Sequence, residues 1–179
     1  MSFDFRNNFG VSLGEIKIDI KKKYKQKFSL KLFNRTINKT GPRKLYHSAK
    51  NTSTLDLALN AYKIFIKKNK KFKIKNIHNL IFVTETNKFN VPGNSFLFAS
   101  ILNLSPRTGL YDLNFGCTGF VEALDLAYNL DGNSLIVCAE TYSKHMKVFD
   151  RSTSSLFSDG GSVFFLKSHP QEHVFQSIM

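Results

Sequence analysis

Three short, apolar-rich segments constrain the fold more than any other feature of this chain. Residues 80–83 and 135–139 are continuous apolar runs, residues 110–115 are apolar apart from Asp112 and Asn114, and segments with helical spacing of apolar residues lie between them. An apolar run of this length is typical of a strand that is covered on both faces of a sheet. Because such strands alternate with helices here, the sequence predicts an α/β layered fold with a mostly parallel sheet.

The segments outside this region extend the same pattern. Apolar and polar residues alternate over residues 11–20, which predicts a half-buried strand, and residues 162–166 predict a last extended segment. The polar stretch 21–53 contains Gly41-Pro42, so we expect a loop with one short helix there.

Three helices are expected between these strands. They begin at Thr54, cover residues 95–103, and run from Cys117 to about Leu130. Apolar residues surround much of the circumference of the last helix, which predicts that it is buried rather than lying at the surface.

The chain is strongly basic, with 26 Lys and Arg residues against 13 Asp and Glu residues and a formal net charge of +13. Much of the excess lies in residues 21–27 and 67–75. A basic surface attracts nucleic acid, anionic lipid, or an acidic protein or cofactor. The alternative is compositional, because Lys, Asn, Ile and Phe are all abundant, as in proteins from AT-rich genomes. No nucleic-acid-binding motif accompanies the charge, so we expect no nucleic-acid partner.

Length and cysteine usage limit the class of protein. The 179 residues suffice for one domain, or for one large half of a two-part fold. No segment is long and apolar enough to span a membrane, and residues 1–8 lack the layout of a signal peptide. The two cysteines show no disulfide-framework spacing, so we expect a cytoplasmic protein without a bound metal.

Cys117 is the strongest candidate for chemistry. It lies between Gly116 and Gly119, after an apolar run and before a helical stretch. Unpaired backbone N–H groups at a helix start favour a thiolate, which is the nucleophile in covalent acyl chemistry. The alternative is a small buried hydrophobic residue. Cys138 lies inside a predicted strand, and we interpret it as core.

Six short blocks follow one another between about residues 35 and 166. They are Lys39-Thr40-Gly41-Pro42-Arg43, Thr84-Glu85-Thr86 with Val91-Pro92-Gly93-Asn94-Ser95, Cys117-Thr118-Gly119-Phe120, Ala139-Glu140-Thr141, Asp150-Arg151-Ser152-Thr153 and Leu156-Phe157-Ser158-Asp159-Gly160-Gly161. In this order they resemble the thiolase superfamily, and within it the N-terminal half of class III β-ketoacyl-acyl-carrier-protein synthases. The resemblance implies a thiolase-like half-domain over residues 1–179, with a buried helix starting at the nucleophile.

The resemblance also implies a reaction. Cys117 would accept an acyl group from acyl-coenzyme A, which is a substrate and not a permanently bound cofactor. Malonyl on acyl carrier protein would then decarboxylate, and its carbanion would attack the Cys-bound thioester in fatty-acid or related lipid biosynthesis. A basic chain suits an acidic carrier protein.

Further site residues follow from the same resemblance. Arg151, Lys39 and Arg43 match positions that contact coenzyme A, although ordinary surface charge is the alternative for Lys39 and Arg43. Arg35 occupies the position where the family commonly has a Trp that stacks on adenine, and this chain has no Trp. Phe120 and Val91 are expected at the acyl pocket, where Val91 replaces a Phe and leaves more room.

The match also lacks residues that the family's condensation step requires. The family takes a catalytic His and Asn from its second half, and none of the five His residues here lies in a matching context. A homodimer or a companion chain is therefore the expected partner, because a lone half would expose a large apolar patch. Two other hypotheses remain: an inert fragment that only associates with a synthase or carrier protein, and a Cys-dependent acyltransferase to an amine or hydroxyl. A basic nucleic-acid-binding module is the most distant alternative.

Overall fold

The computed structural model describes residues 9–13, 16–19, 35, 44–146, 153 and 156–168. This part of the chain contains seven strands and three α-helices. The strands are β1 (Phe9–Leu13), β2 (Ile16–Asp19), β3 (Lys44–His47), β4 (Asn79–Val83), β5 (Gly109–Leu113), β6 (Ser134–Glu140) and β7 (Gly160–Leu166). The helices are α1 (Thr54–Lys68), α2 (Asn94–Ile101) and α3 (Gly119–Asn129).

Five of the strands form one sheet in the order β1-β7-β6-β4-β5. β4 pairs in parallel with both β5 and β6, whereas β7 is antiparallel to β6 and to β1. Four of the five strands therefore run in one direction and only β7 opposes them. The predicted α/β fold with a mixed, mostly parallel sheet is confirmed.

The two faces of the sheet are covered by different helices. Leu80 and Phe82 of β4 pack in a core cluster with residues of α1 and α2. Ile81 and Val83 of the same strand pack in a second cluster with Ala123 of α3. Since successive side chains of a strand point to opposite faces, burial on both faces requires a continuous apolar run. This is the physical reason for the runs in β4 and β6.

Helix α1 begins at a capping box, which fixes the end of the helix that lies near the candidate site. The Ser53 hydroxyl accepts from the backbone N–H of Asp56, and the Asp56 carboxylate accepts from the backbone N–H of Ser53. Two backbone donors that a helix start leaves unpaired are satisfied in this way. The predicted helix start at Thr54 is confirmed.

One prediction for the N-terminal part is wrong, and a second is incomplete. The stretch 11–20 is not one strand, because β1 pairs with β7 in the large sheet whereas β2 pairs with β3 in a separate two-stranded sheet. The polar segment 21–53 contains strand β3, which the predicted loop with one short helix did not include; Arg35 is helical, and residues 21–34 and 36–43 lie outside the described residues. β3 forms through non-local pairing with β2, and its four residues carry no local signal strong enough to reveal it.

Helix α3, expected to be buried, is covered by the sheet on one face, and its other face is not covered within the described part of the chain. Only Gly119, Ala123 and Ala127 of α3 are buried, and Val121 is 64% exposed. The sheet covers one face of α3, and its outer apolar face lies at the surface of the described part of the chain. Strand β5 is half-buried instead of fully buried because it is the edge strand of the sheet.

Candidate active site

Cys117 lies at the edge of the sheet where the parallel strands end. A 3-10 turn, Gly116–Thr118, connects strand β5 to helix α3, and the Cys117 side chain is exposed. Because β4, β5 and β6 are parallel, the segments that follow them meet at this same edge. This is where ligands bind in open α/β sheets.

Two positions at this turn, Gly116 and Gly119, require glycine for different physical reasons. Gly116 has a φ of +54°, a left-handed conformation that glycine adopts without a steric penalty. A Cβ on Gly119 would lie 2.5 Å from Cγ1 of Val83, so the absence of a side chain lets α3 approach the sheet. Gly116 allows the backbone direction of the turn, and Gly119 allows the short distance between α3 and the sheet.

A carboxylate holds the turn from the neighbouring strand. The backbone N–H of Gly116 donates to Oε1 of Glu85 at 2.8 Å, and Glu85 follows β4. The backbone N–H of Glu85 donates in turn to Oε1 of Glu140, at the end of β6, over 2.6 Å. The ends of β4 and β6 and the Gly116–Thr118 turn are therefore joined through two glutamates.

Four buried threonines surround the Glu140 end of this chain of contacts; they are Thr54, Thr84, Thr86 and Thr141. The Thr86 hydroxyl donates to Oε2 of Glu140 at 2.7 Å and accepts from the backbone N–H of Thr141 at 3.0 Å. The Thr54 hydroxyl donates to the Thr86 carbonyl at 2.7 Å and lies 2.9 Å from the Thr141 hydroxyl. The start of α1 is thus tied to the same edge.

Glu140 is half-buried and stands beside a second carboxylate. Burial raises the pKa of Glu140, and the hydrogen bonds from Thr86 and from the Glu85 backbone oppose that shift. The negative charge of Glu85 raises the pKa of Glu140 further. The pair is electrostatically unfavourable when both carboxylates are ionised.

Asp159 organises a second cluster next to β7. It is buried and accepts from the backbone and hydroxyl of Ser48 at 2.7 and 2.6 Å, and from those of Ser143 at 2.8 and 2.5 Å. Burial alone would raise the pKa of Asp159, but the hydrogen bonds from Ser143 and Ser48 outweigh it and lower the pKa. Asp159 is therefore an ionised structural anchor between β3 and the loop after β6.

An open cleft of about 700 Å³ lies on the β5 side of the turn. Its lining includes Val91, Phe96, Phe115, Asp112 and Asn114. Asp112 fixes the cleft wall, because its carboxylate accepts from the backbone and hydroxyl of Ser95 at 2.9 and 2.5 Å at the start of α2. Polar side chains also line the cleft, at Asn87, Asn90, Asp112 and Asn114.

The structure separates the two residues predicted for an acyl pocket. Val91 is 88% exposed and lines the cleft, whereas Phe120 packs in the second core cluster, 4.6 Å from the Phe164 ring. Cys138 lies in β6 against the same cluster, and burial raises its pKa to about 12. The core interpretation of Cys138 fits this placement.

The residues predicted to contact coenzyme A fall largely outside the described part of the chain. Lys39, Arg43 and Arg151 lie in residues that the structure does not describe, and Arg35 is exposed. Among the described residues there is no group of three His, Cys, Asp or Glu that could hold a metal ion. No helix of that part is long and apolar enough to cross a membrane.

Sequence reasoning missed the role of the glutamates and threonines. The blocks Thr84-Glu85-Thr86 and Ala139-Glu140-Thr141 were recognised only as motifs, without a function for their side chains. A usable signal existed, because both blocks directly follow a predicted buried strand. The carboxyl ends of neighbouring parallel strands meet at one edge, so polar residues there are candidates for one shared site.

Comparison with known proteins places this arrangement in context. The sequence profile of the family 3-oxoacyl-[acyl-carrier-protein (ACP)] synthase III matches residues 111–179, a range that includes Cys117. A beta-ketoacyl-[acyl-carrier-protein] synthase III from Fusobacterium nucleatum is 33% identical over 120 residues, which are 64% of this chain and 36% of that protein. One of the same name from Oleidesulfovibrio alaskensis is 30% identical over 139 residues, covering 75% and 42%.

Solved structures show the same fold. A 3-oxoacyl-(acyl-carrier protein) synthase from Burkholderia xenovorans superposes with a TM-score of 0.84 at 24% identity. The match covers 93% of this chain and 48% of that chain. The chain spans less than half of the length of these curated relatives, 36% and 42%.

Proposed function

We propose, because the chain resembles the N-terminal half of the class III 3-oxoacyl-acyl-carrier-protein synthases, that it is an acyltransferase in which Cys117 accepts an acyl group. The observation that carries the proposal is the exposed thiol in the turn before α3, at the edge where β4, β5 and β6 end. The residues around that thiol are within the range matched by the family profile.

The first chemical step is thioester exchange. The Cys117 thiolate attacks the carbonyl carbon of acyl-coenzyme A, and a tetrahedral oxyanion forms. The backbone N–H of Cys117 is the proposed hydrogen-bond donor for that oxyanion. The C–S bond to coenzyme A then breaks, coenzyme A leaves as a thiolate that takes up a proton, and the acyl group remains on Sγ.

The second step condenses the acyl group with malonyl on an acyl carrier protein. Decarboxylation of malonyl releases CO₂ and leaves a carbanion, which attacks the thioester carbon, forms the C–C bond and frees the Cys117 thiolate. In the resembled family this step uses a His and an Asn of the second half. A companion chain or further sequence would supply them here, with residues 1–179 acting as one half-domain.

The binding residues belong to the same proposal. Arg151, Lys39, Arg43 and Arg35 are assigned to coenzyme A or the carrier protein, because cationic side chains suit phosphates. Val91 is assigned to the acyl pocket because it lines the cleft beside the nucleophile turn. Phe120 is assigned a supporting place behind that pocket, since it packs against Phe164. The proposed compartment is the cytoplasm.

Two alternatives make different predictions. An inert fragment would associate with a synthase or carrier protein without forming an acyl adduct. A Cys-dependent acyltransferase would form the adduct and pass it to an amine or hydroxyl, a step that needs no decarboxylation.

Incubation with acetyl-coenzyme A followed by intact-mass measurement tests the proposal. Wild-type protein should gain one acetyl group, Cys117→Ala should gain none, and Cys138→Ala should behave as wild type. Absence of an adduct on the wild-type protein, with and without a candidate second half, would favour the inert fragment.

A further inference from the structure

We propose that Glu85 is a positioning residue that holds the nucleophile turn, an inference that rests on the proposed acyl-acceptor function of Cys117. Its carboxylate accepts the backbone N–H of Gly116, the residue directly before the nucleophile, at 2.8 Å. The role is to fix the direction of the Cys117 backbone and thiol, without contact between Glu85 and the reacting atoms.

The turn needs such a restraint because its own packing is open. Gly116 is in a left-handed conformation, and a Cβ placed on it would find no atom within 4 Å. Within the turn, the Thr118 N–H and hydroxyl donate to the Phe115 carbonyl at 3.3 and 3.0 Å, and neither bond reaches the sheet. A hydrogen bond to an ionised acceptor is stronger than one between neutral groups, so the Glu85 contact is the strong tether to β4.

Glu85 is itself held in place by buried groups. Its backbone N–H donates to Glu140, whose other carboxylate oxygen accepts from the Thr86 hydroxyl. Thr86 is buried and connects to Thr54 of α1 and to Thr141 after β6. The chain of hydrogen bonds from Gly116 therefore leads to buried residues and not to another surface loop.

The negative charge of Glu85 does not favour the stability of the fold. The Glu85 carboxylate faces Glu140, and the like charges repel each other. An amide would accept the same N–H without this repulsion. A carboxylate, however, makes the stronger hydrogen bond to the turn. This matters for positioning, because small displacements of a nucleophile strongly lower the reaction rate.

The test compares Glu85→Ala, which removes the acceptor, with Glu85→Gln, which keeps an acceptor oxygen. Glu122→Ala is the matched control, because Glu122 is an exposed acid in the first turn of α3. The first readout is hydrogen exchange of the Gly116 amide, followed by NMR. We expect about tenfold faster exchange in Glu85→Ala, a smaller increase in Glu85→Gln because its neutral amide oxygen is a weaker acceptor, and wild-type exchange in Glu122→Ala.

The second readout is the rate of acylation by acetyl-coenzyme A. We expect the maximal rate to fall about tenfold in Glu85→Ala, with an unchanged half-saturating concentration, and to be partly restored in Glu85→Gln. A residue that only stabilises the fold would not lower the maximal rate while leaving the half-saturating concentration unchanged. Unchanged Gly116 exchange in Glu85→Ala, or faster exchange with an unchanged acylation rate, would overturn the inference.

Failure of the proposed function would look different. If wild-type protein forms no acyl adduct, alkylation of Cys117 by iodoacetamide replaces acylation as the rate measurement, since it requires no coenzyme A site. An alkylation rate that changes in Glu85→Ala and returns toward the wild-type rate in Glu85→Gln would then still support the positioning role. Equal alkylation rates would overturn it.

Discussion

Asp159 and Glu140 are both withdrawn from water, yet the fold shifts their pKa values in opposite directions. Asp159 accepts four hydrogen bonds from two serines, which together outweigh burial and lower its pKa. Glu140 accepts fewer donors and faces the charge of Glu85, so burial dominates and its pKa rises. In both carboxylates burial is the largest cause, and the hydrogen-bond donors outweigh it only at Asp159.

This difference predicts how stability depends on pH. Because the pKa of Asp159 is lowered in the folded state, its contribution is present above about pH 3.8 and is lost as the pH falls through the lower folded value. Asp159→Asn should therefore reduce the free energy of unfolding at neutral pH by about 2 kcal/mol or more. Urea denaturation at a series of pH values should show the gap to wild type closing in acid.

Asp125→Asn is the control for that measurement, since Asp125 is an exposed residue of α3. It should leave stability within about 0.5 kcal/mol of wild type. An Asp159→Asn protein as stable as wild type at neutral pH would contradict the assignment of Asp159 as an ionised anchor.

At the level of elements, the seating of α3 on β4 depends on Gly119. A Cβ there meets Val83, so Gly119→Ala should destabilise the protein by about 1–3 kcal/mol through overpacking. Val83→Ala removes the obstructing methyl groups and should recover part of that loss. A double-mutant cycle measured by urea unfolding would show this coupling between the two positions.

Gly116→Ala serves as the comparison within the same turn. A side chain there meets no atom, but the φ of +54° costs about 1–2 kcal/mol for a residue with a Cβ. Val83→Ala should not rescue this variant. Equal rescue of both glycine variants, or of neither, would contradict the separate reasons given for the two glycines.

At the level of the whole molecule, large apolar side chains remain at the surface. Val91, Phe96 and Phe115 are exposed and line one cleft, and Val121 on α3 is exposed nearby in sequence. An exposed apolar surface of this kind favours association. We expect concentration-dependent self-association in sedimentation velocity, reduced by Phe96→Asp.

Ile74→Asp is the matched control, because Ile74 is an exposed apolar residue in the 3-10 turn before β4 and is not part of the cleft lining. It should associate as wild type does. A wild-type protein that stays monomeric at all concentrations, or an equal effect of both substitutions, would argue against the cleft as an interface.

The sequence reveals those parts of this fold whose causes are local. The continuous apolar runs of β4 and β6 follow from burial on both faces of the sheet. The spacing of apolar residues in α1 follows from burial of one helix face. The pairing of β2 with β3 is not visible in this way, because it depends on contacts between distant residues. The exposure of α3 likewise depends on what covers its outer face and not on its composition.

The same distinction applies to the site. A thiol between two glycines and before a helix is a local pattern, and it makes Cys117 a candidate nucleophile without any knowledge of the fold. The contact from Glu85 to Glu140 joins residues that are 55 positions apart, and the one from Gly116 to Glu85 spans 31. Such contacts follow from the order of strands in the sheet, which the sequence pattern alone does not determine.

The most direct test of the central claim is to localise the acyl group on the protein. After incubation with acetyl-coenzyme A, peptide mass spectrometry should find the acetyl group on the peptide that contains Cys117, and neutral hydroxylamine should remove it as a thioester. Acetyl groups found only on lysines or on Cys138, or resistant to hydroxylamine, would contradict the assignment of Cys117 as the acyl acceptor.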